Sequence, residues 1–121
     1  MTQHRKLVVW EKSMRLAEEI YRMTVTLPPA ERFGLVAQMR RSSTSIPSNI
    51  AEGCGRGSHR DRARFLDVAY GSLLELETQI ELSWRLHFVP DDVYKGLLRR
   101  TTEIGRMLNG LKQSLRPIRK E

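Results

Sequence analysis

Apolar residues recur along this chain in alternating steps of three and four, the spacing that keeps one face of a helix turned toward a partner. In the first segment the stripe is Trp10, Met14, Ala17, Tyr21 and Thr24, with a second beside it at Leu16, Ile20, Met23 and Leu27. Pro28 and Pro29 stop that helix and start the next, because proline lacks the N–H an interior turn needs yet is tolerated at a first turn. The third segment carries Leu66, Ala69, Leu73, Leu76, Ile80, Ser83 and His87. The fourth opens at Pro90, with Asp91 and Asp92 near its positive dipole end, and carries Tyr94, Leu97, Thr101, Ile104, Leu108, Leu111 and Leu115. No alternating strand pattern competes.

The stretch RRSSTSIPSNIAEGCGRGS, residues 40–58, sets a proline inside the second segment. Val36, Met39, Ser43, Ile46 and Ile50 step by three, four, three and four straight through Pro47. A break has no reason to hold that register. The pattern therefore predicts one long helix, kinked at Pro47 and ending near Gly53 to Gly57, whose glycines can supply the left-handed conformation that closes a helix. An interior proline costs about 3 kcal/mol, since it offers no N–H to the Ser43 carbonyl and crowds it. The hydroxyls of Ser42, Ser43, Thr44 and Ser45 can satisfy loosened backbone groups, and those side chains are small enough to admit a neighbouring helix closely. The rival reading is a break, with Asn49 and Glu52 capping a new helix.

Ser58 fits the cap of the third helix, with Asp61 three residues on as its reciprocal partner. The connections around Pro28, Gly53 to Gly57 and Phe88 to Pro90 are short, which forces sequential helices to run antiparallel. The expected fold is all-α, a single domain over residues 1–121 forming an antiparallel up-down-up-down four-helix bundle.

That topology redistributes the charge. The chain of 121 residues carries a net +7 with a pI near 10.2, a balance that favours a polyanionic partner such as nucleic acid. In the bundle, the start of helix 1, the turn between helices 2 and 3 and the end of helix 4 share one end. Arg5, Lys6, Lys12, Arg56, Arg60, Arg62, Arg64, Arg106, Lys112, Arg116, Arg119 and Lys120 lie there, 12 cations against Glu11, Glu52, Asp61 and Glu121. The rest of the chain has nine positive and ten negative charges, so one end holds the whole excess. A solvated surface normally mixes both signs. The plain alternative is that helix C-termini favour cations on their own account. Arg40, Arg41, Arg99 and Arg100 lie elsewhere, and either extend the patch along a side or face solvent.

Arginine's planar fork binds phosphate oxygens in pairs, so the candidate nucleic-acid-binding residues are Arg5, Lys6, Arg56, Arg60, Arg62, Arg64, Arg116, Arg119 and Lys120. No helix-turn-helix spacing, zinc finger or aromatic RNP motif occurs, so the expected affinity is electrostatic and falls steeply with salt. Trp10 belongs either to the core or to a base-stacking surface.

Other chemistry lacks support. Cys54 is the one cysteine, which excludes an internal disulfide and a cysteine-based zinc site within one chain. No Glu-x-x-His pair supplies a di-iron site, His4, His59 and His87 are scattered, and His87 in phase with the third stripe reads as a packed histidine. GCGRGS follows a helix instead of a strand and has Ser58 in place of a final glycine, so it is not a nucleotide loop. Glu75, Glu77 and Glu81 read as outward or ion-paired. No catalytic residue, metal or cofactor is expected. The apolar run at the N-terminus is too short for a signal peptide or membrane span, and a cytoplasmic protein without membrane contact is the expectation. Tyr70, Leu74, Trp84 and Phe88 fall outside the main helix 3 stripe, which makes them candidates for an oligomer interface, or else for a wider core with Trp84 at its edge.

Three stretches, LVVWEKSMRLAEEIYRMT, FGLVAQMRRSSTSIPSNIAEG and FLDVAYGSLLELETQ, resemble the four-helix-bundle proteins encoded within intervening sequences of 23S ribosomal RNA genes, also described as a ribosomal-protein-like family. The likeness covers nearly the whole chain, and SIPSNIAEG is its most specific part. It implies Pro47 inside helix 2 and a homopentamer, but no established enzymatic activity, and it transfers no site residue. A more distant similarity is to the accessory variability proteins of retroelements, basic pentamers that bind RNA and a reverse transcriptase. The resulting expectation is a non-enzymatic oligomer that binds structured RNA, or a ribonucleoprotein, through its basic end. The alternative is a protein-interaction scaffold without direct nucleic-acid contact.

Overall fold

Each amphipathic segment forms one helix. The computed structural model describes residues 3–115, in which a 3-10 turn, Gln3–Lys6, leads into α1, Val8–Thr24, and a second 3-10 turn, Pro29–Glu31, precedes α2, Leu35–Cys54; α3 is His59–Arg85 and α4 is Asp91–Ser114. Each helix packs on its two neighbours in a ring of α1, α2, α3 and α4, with the α2–α3 seam the most extensive and no diagonal contact among the described residues. This is the arrangement of an up-down bundle.

The core follows the stripes. Leu16 and Ile20 of α1, Met39, Ile46 and Ile50 of α2, Leu73, Leu76 and Ile80 of α3, and Ile104 and Leu108 of α4 are fully buried. Of the two stripes on α1, the one containing Leu16, Ile20 and Met23 enters the core, whereas the other does so in part: Ala17 and Thr24 are buried, Trp10 is half-buried, and Met14 and Tyr21 remain exposed.

Pro47 lies inside α2, which runs through it unbroken. The alternative cap does not form, because Asn49 Nδ2 donates back to the Ser45 carbonyl at 2.8 Å and to Ser45 Oγ at 3.0 Å. Ser43 and Thr44 hydroxyls donate to the Arg40 carbonyl at 2.9 and 3.1 Å, and the Ser48 hydroxyl donates to the Thr44 carbonyl at 2.8 Å. These turns therefore gain side-chain donors around the missing N–H. Ser45 Oγ also reaches across to Ser72 Oγ of α3 at 2.8 Å.

The end of α2 corrects one expectation. No described glycine has a positive φ, and Gly55 closes the helix at φ −84° and ψ −4°. Gly53 matters for space instead, since a Cβ there would stand 3.2 Å from Phe65 Cβ and 3.3 Å from the Arg62 carbonyl. Ser58 caps α3 as its sequence indicates, its Oγ accepting from the Asp61 N–H at 3.1 Å.

His87 corrects another. It is exposed and takes the left-handed conformation at φ 64°, two residues past the end of α3. Its N–H donates to the Trp84 carbonyl and that of Phe88 to the Ser83 carbonyl, both at 2.9 Å, the paired bonds of a Schellman closure. The periodic stripe ends at Ser83, and His87 serves the turn.

Candidate nucleic-acid interface

Leu7 before α1, Gly53 and Cys54 of α2, Arg62 and Leu66 of α3, Leu111 of α4 and Leu115 just past its end line one small cavity of about 150 Å³. Their meeting places the start of α1, the α2–α3 turn and the end of α4 at the same end of the bundle. The basic segments named from sequence converge there as far as they are described. Arg116, Arg119 and Lys120 lie outside the described residues.

Within this end the cations differ in what holds them. Arg56 pairs with Glu52 at 2.9 Å, one turn away, and stands 4.6 Å over the Phe65 ring. Arg62 Nε donates to the Arg56 carbonyl at 2.9 Å, which fastens the α2–α3 turn from the α3 side. Arg64 lies 5.0 Å over Phe65 and Arg5 lies 5.6 Å over Trp10, each cation resting on an aromatic face. Lys12 pairs with Glu103 and Lys112 with Asp67, both at 2.7 Å. Among the described residues Arg5, Lys6, Arg60, Arg62 and Arg64 make no ion pair, and all but Arg62 are exposed.

Helix polarity separates these cations into two kinds. Arg56 follows the C-terminus of α2 and Lys112 sits in the last turn of α4, where the macrodipole favours positive charge. Arg60 and Arg62 occupy the first turn of α3, where the same dipole opposes them. Helix-end preference thus explains the first pair and not the second. Cys54, half-buried beside Arg62, has its thiol raised above the ordinary value by burial, with the guanidinium opposing the rise.

The residues named as an oligomer interface occupy mixed environments. Tyr70, Trp84 and Phe88 are half-buried against the core of their own chain, and Leu74 is 47% exposed. Trp84 stacks on Tyr94 of α4 with ring centroids 4.3 Å apart at 7°, and its Nε1 donates to Asp91 Oδ1 at 2.7 Å. An apolar groove of about 670 Å³ opens elsewhere, between Trp10, Met14, Ala17 and Tyr21 of α1 and Pro47 and Ala51 of α2. Its signal in the sequence is the doubled stripe of α1, which is wider than one buried face requires. No cluster of three metal-ligating side chains, and no helix long and apolar enough to cross a membrane, occurs among the described residues.

Solved structures and family models place this architecture. A protein of unknown function from the S23 ribosomal protein family of Bacteroides thetaiotaomicron is 29% identical, with a TM-score of 0.79, over 88% of this chain and 99% of that one. No curated protein matches the chain. The model of the 23S rRNA-intervening sequence proteins matches residues 5–110, from the first basic residue of the shared end to the last turns of α4. With its four helices, its proline inside α2 and nearly its whole length accounted for, the chain belongs to the 23S rRNA-intervening sequence protein family.

Proposed function

We propose that the protein is a non-enzymatic, oligomeric helical protein that binds structured RNA, or an RNA-containing complex, through its basic end. The observation that carries this reading is the placement of Arg60 and Arg62 in the first turn of α3, against the dipole and without a carboxylate partner among the described residues. A surface that accepts such a cost without a local ion pair is suited to an external anion, and arginine forks match phosphate. Fluorescence anisotropy of a structured ribosomal RNA fragment at two salt concentrations tests it. Reversal of Arg60 and Arg64 to glutamate leaves the Arg56–Glu52 pair and the Arg62–carbonyl bond in place. Salt-sensitive binding that is lost in this variant is the expected outcome. Equal affinity in the two proteins, or no binding at low salt, rejects the assignment.

The apolar α1–α2 groove favours a second reading, a scaffold that docks protein. Capture of a partner that survives nuclease and high salt distinguishes it from RNA binding. For self-association, light scattering at micromolar concentration is the check: a mass above that of one chain is expected, and a monomer contradicts it.

A further inference from the structure

One face of α4 takes no part in the core. Lys95, Arg99, Thr102, Arg106, Asn109 and Gln113 follow one another in steps of four, three, four, three and four, and all are exposed. This is the register of a core stripe written in hydrogen-bond donors. It runs about 27 Å along the helix axis, at about 1.5 Å per residue, and finishes where α4 enters the basic end. The three cations of the stripe form no salt bridge among the described residues.

Three of the neighbouring carboxylates are already engaged. Glu103 is held by Lys12 of α1, Asp67 by Lys112, and Glu77 accepts from the Thr101 hydroxyl at 2.7 Å. Among the described residues no carboxylate stands within ion-pair distance of Lys95, Arg99 or Arg106. The surface between them, open over about 630 Å³, is completed by Leu98, Glu103 and Met107 and contains no aromatic ring; Glu103, its one carboxylate, is the partner of Lys12.

We infer that this stripe is a second phosphate track, continuous with the basic end, and that its occupant is the backbone of duplex RNA. The inference rests on the RNA-binding reading above and deepens it. Charge complementarity selects a polyanion, and the absence of a stacking ring removes what single strands exploit. Lys, Arg, Thr, Asn and Gln are the side chains that reach phosphate and ribose hydroxyls, the groups a duplex presents outward. Two surfaces meeting at one end of a bundle suit a helix of RNA that lies along α4 and passes over the α2–α3 turn.

The test compares the wild-type chain, R60E/R64E and R99Q/R106Q on an RNA duplex of about 16 base pairs and on a single strand of the same length. Releasing about 0.9 counterion per phosphate makes each lost contact worth about eightfold in affinity at 0.1 M salt, so R99Q/R106Q is expected to weaken duplex binding about 60-fold. The slope of log affinity against log salt should fall by about two. Circular dichroism and the melting midpoint should not change, because neither arginine touches the core. Unchanged affinity and slope, with R60E/R64E still defective, overturns the track and leaves the basic end standing. An equal loss on the single strand overturns the duplex. Absence of salt-sensitive binding in the wild type removes the underlying reading and this inference together.

Discussion

Gly53→Ala sets a helical gain against a steric cost, and the structure decides which is larger. Glycine in a helix interior is about 0.8–1.0 kcal/mol less favourable than alanine, so the substitution should stabilise α2 taken alone. The new methyl, however, would stand 3.2 Å from Phe65 Cβ and 3.3 Å from the Arg62 carbonyl. Neither neighbour is the free end of a flexible chain; one is fixed by its own backbone and the other is backbone. Relief requires α3 to move away from α2 across the most extensive seam of the bundle. Overpacking of this kind costs about 1–3 kcal/mol, which leaves a net loss of up to about 2 kcal/mol. Gly71→Ala on exposed α3 is the internal control, because nothing lies within 4 Å of its Cβ position and the propensity gain of about 1 kcal/mol goes unopposed. Urea unfolding at one protein concentration should therefore separate the two variants by about 1–3 kcal/mol, or about 0.5–1.5 M in midpoint for a slope near 2 kcal/mol/M. Gly53→Ala as stable as Gly71→Ala would refute the close approach as the reason for glycine.

His87→Gly should raise stability by about 1 kcal/mol, since the left-handed conformation there carries a Cβ penalty that glycine lacks; a lowered thermal midpoint contradicts the Schellman assignment. Ser45→Ala should cost about 1 kcal/mol by leaving Ser72 and Asn49 short of a partner, and Ser45→Ala/Ser72→Ala should cost less than the sum of the singles by at least about 0.5 kcal/mol. Additive losses would show that the hydroxyls act separately. Burial raises the Cys54 thiol, so less thiolate is present near neutral pH than for a free cysteine. Alkylation by iodoacetamide should be slow at pH 7.5, climb as pH rises toward the raised value, and slow further in Arg62→Gln; rates equal to those of the urea-unfolded chain would contradict this.

The bundle is legible in the sequence wherever a stripe meets a partner. Val36 to Ile50 held register through Pro47, and α2 is continuous. Periodicity alone does not report where a helix stops. His87 extended the third stripe by spacing, yet the backbone had already turned, because a Schellman closure depends on one positive φ that here falls on histidine instead of the glycine that normally marks it. The glycines near residue 55 were read for their conformational range, whereas Gly53 is needed for distance between helices, a property of two segments and not of one. The first stripe of α1 is core only in part: Ala17 and Thr24 are buried and Trp10 packs against the core, whereas Met14 and Tyr21 share the helical spacing but find no partner helix over them. The basic end followed from topology as soon as antiparallel order was fixed. Which arginines hold the turn and which are free did not follow, because Glu52 and the Arg56 carbonyl select among them through short-range geometry.

The hydroxyl-lined seam between α2 and α3 has a consequence for uniqueness. Leucines and isoleucines across an interface tolerate sliding, because any apolar contact resembles another. Ser45 and Ser72 do not, since the bond between them exists in one axial setting only, and Asn49 on α2 holds Ser45 in place for it. Displacing α3 by one turn would part these two hydroxyls and leave a part-buried group unmatched at about 1–3 kcal/mol. The seam therefore acts as a vernier: greasy surfaces bring the two helices together, and a pair of alcohols fixes the notch at which they stop.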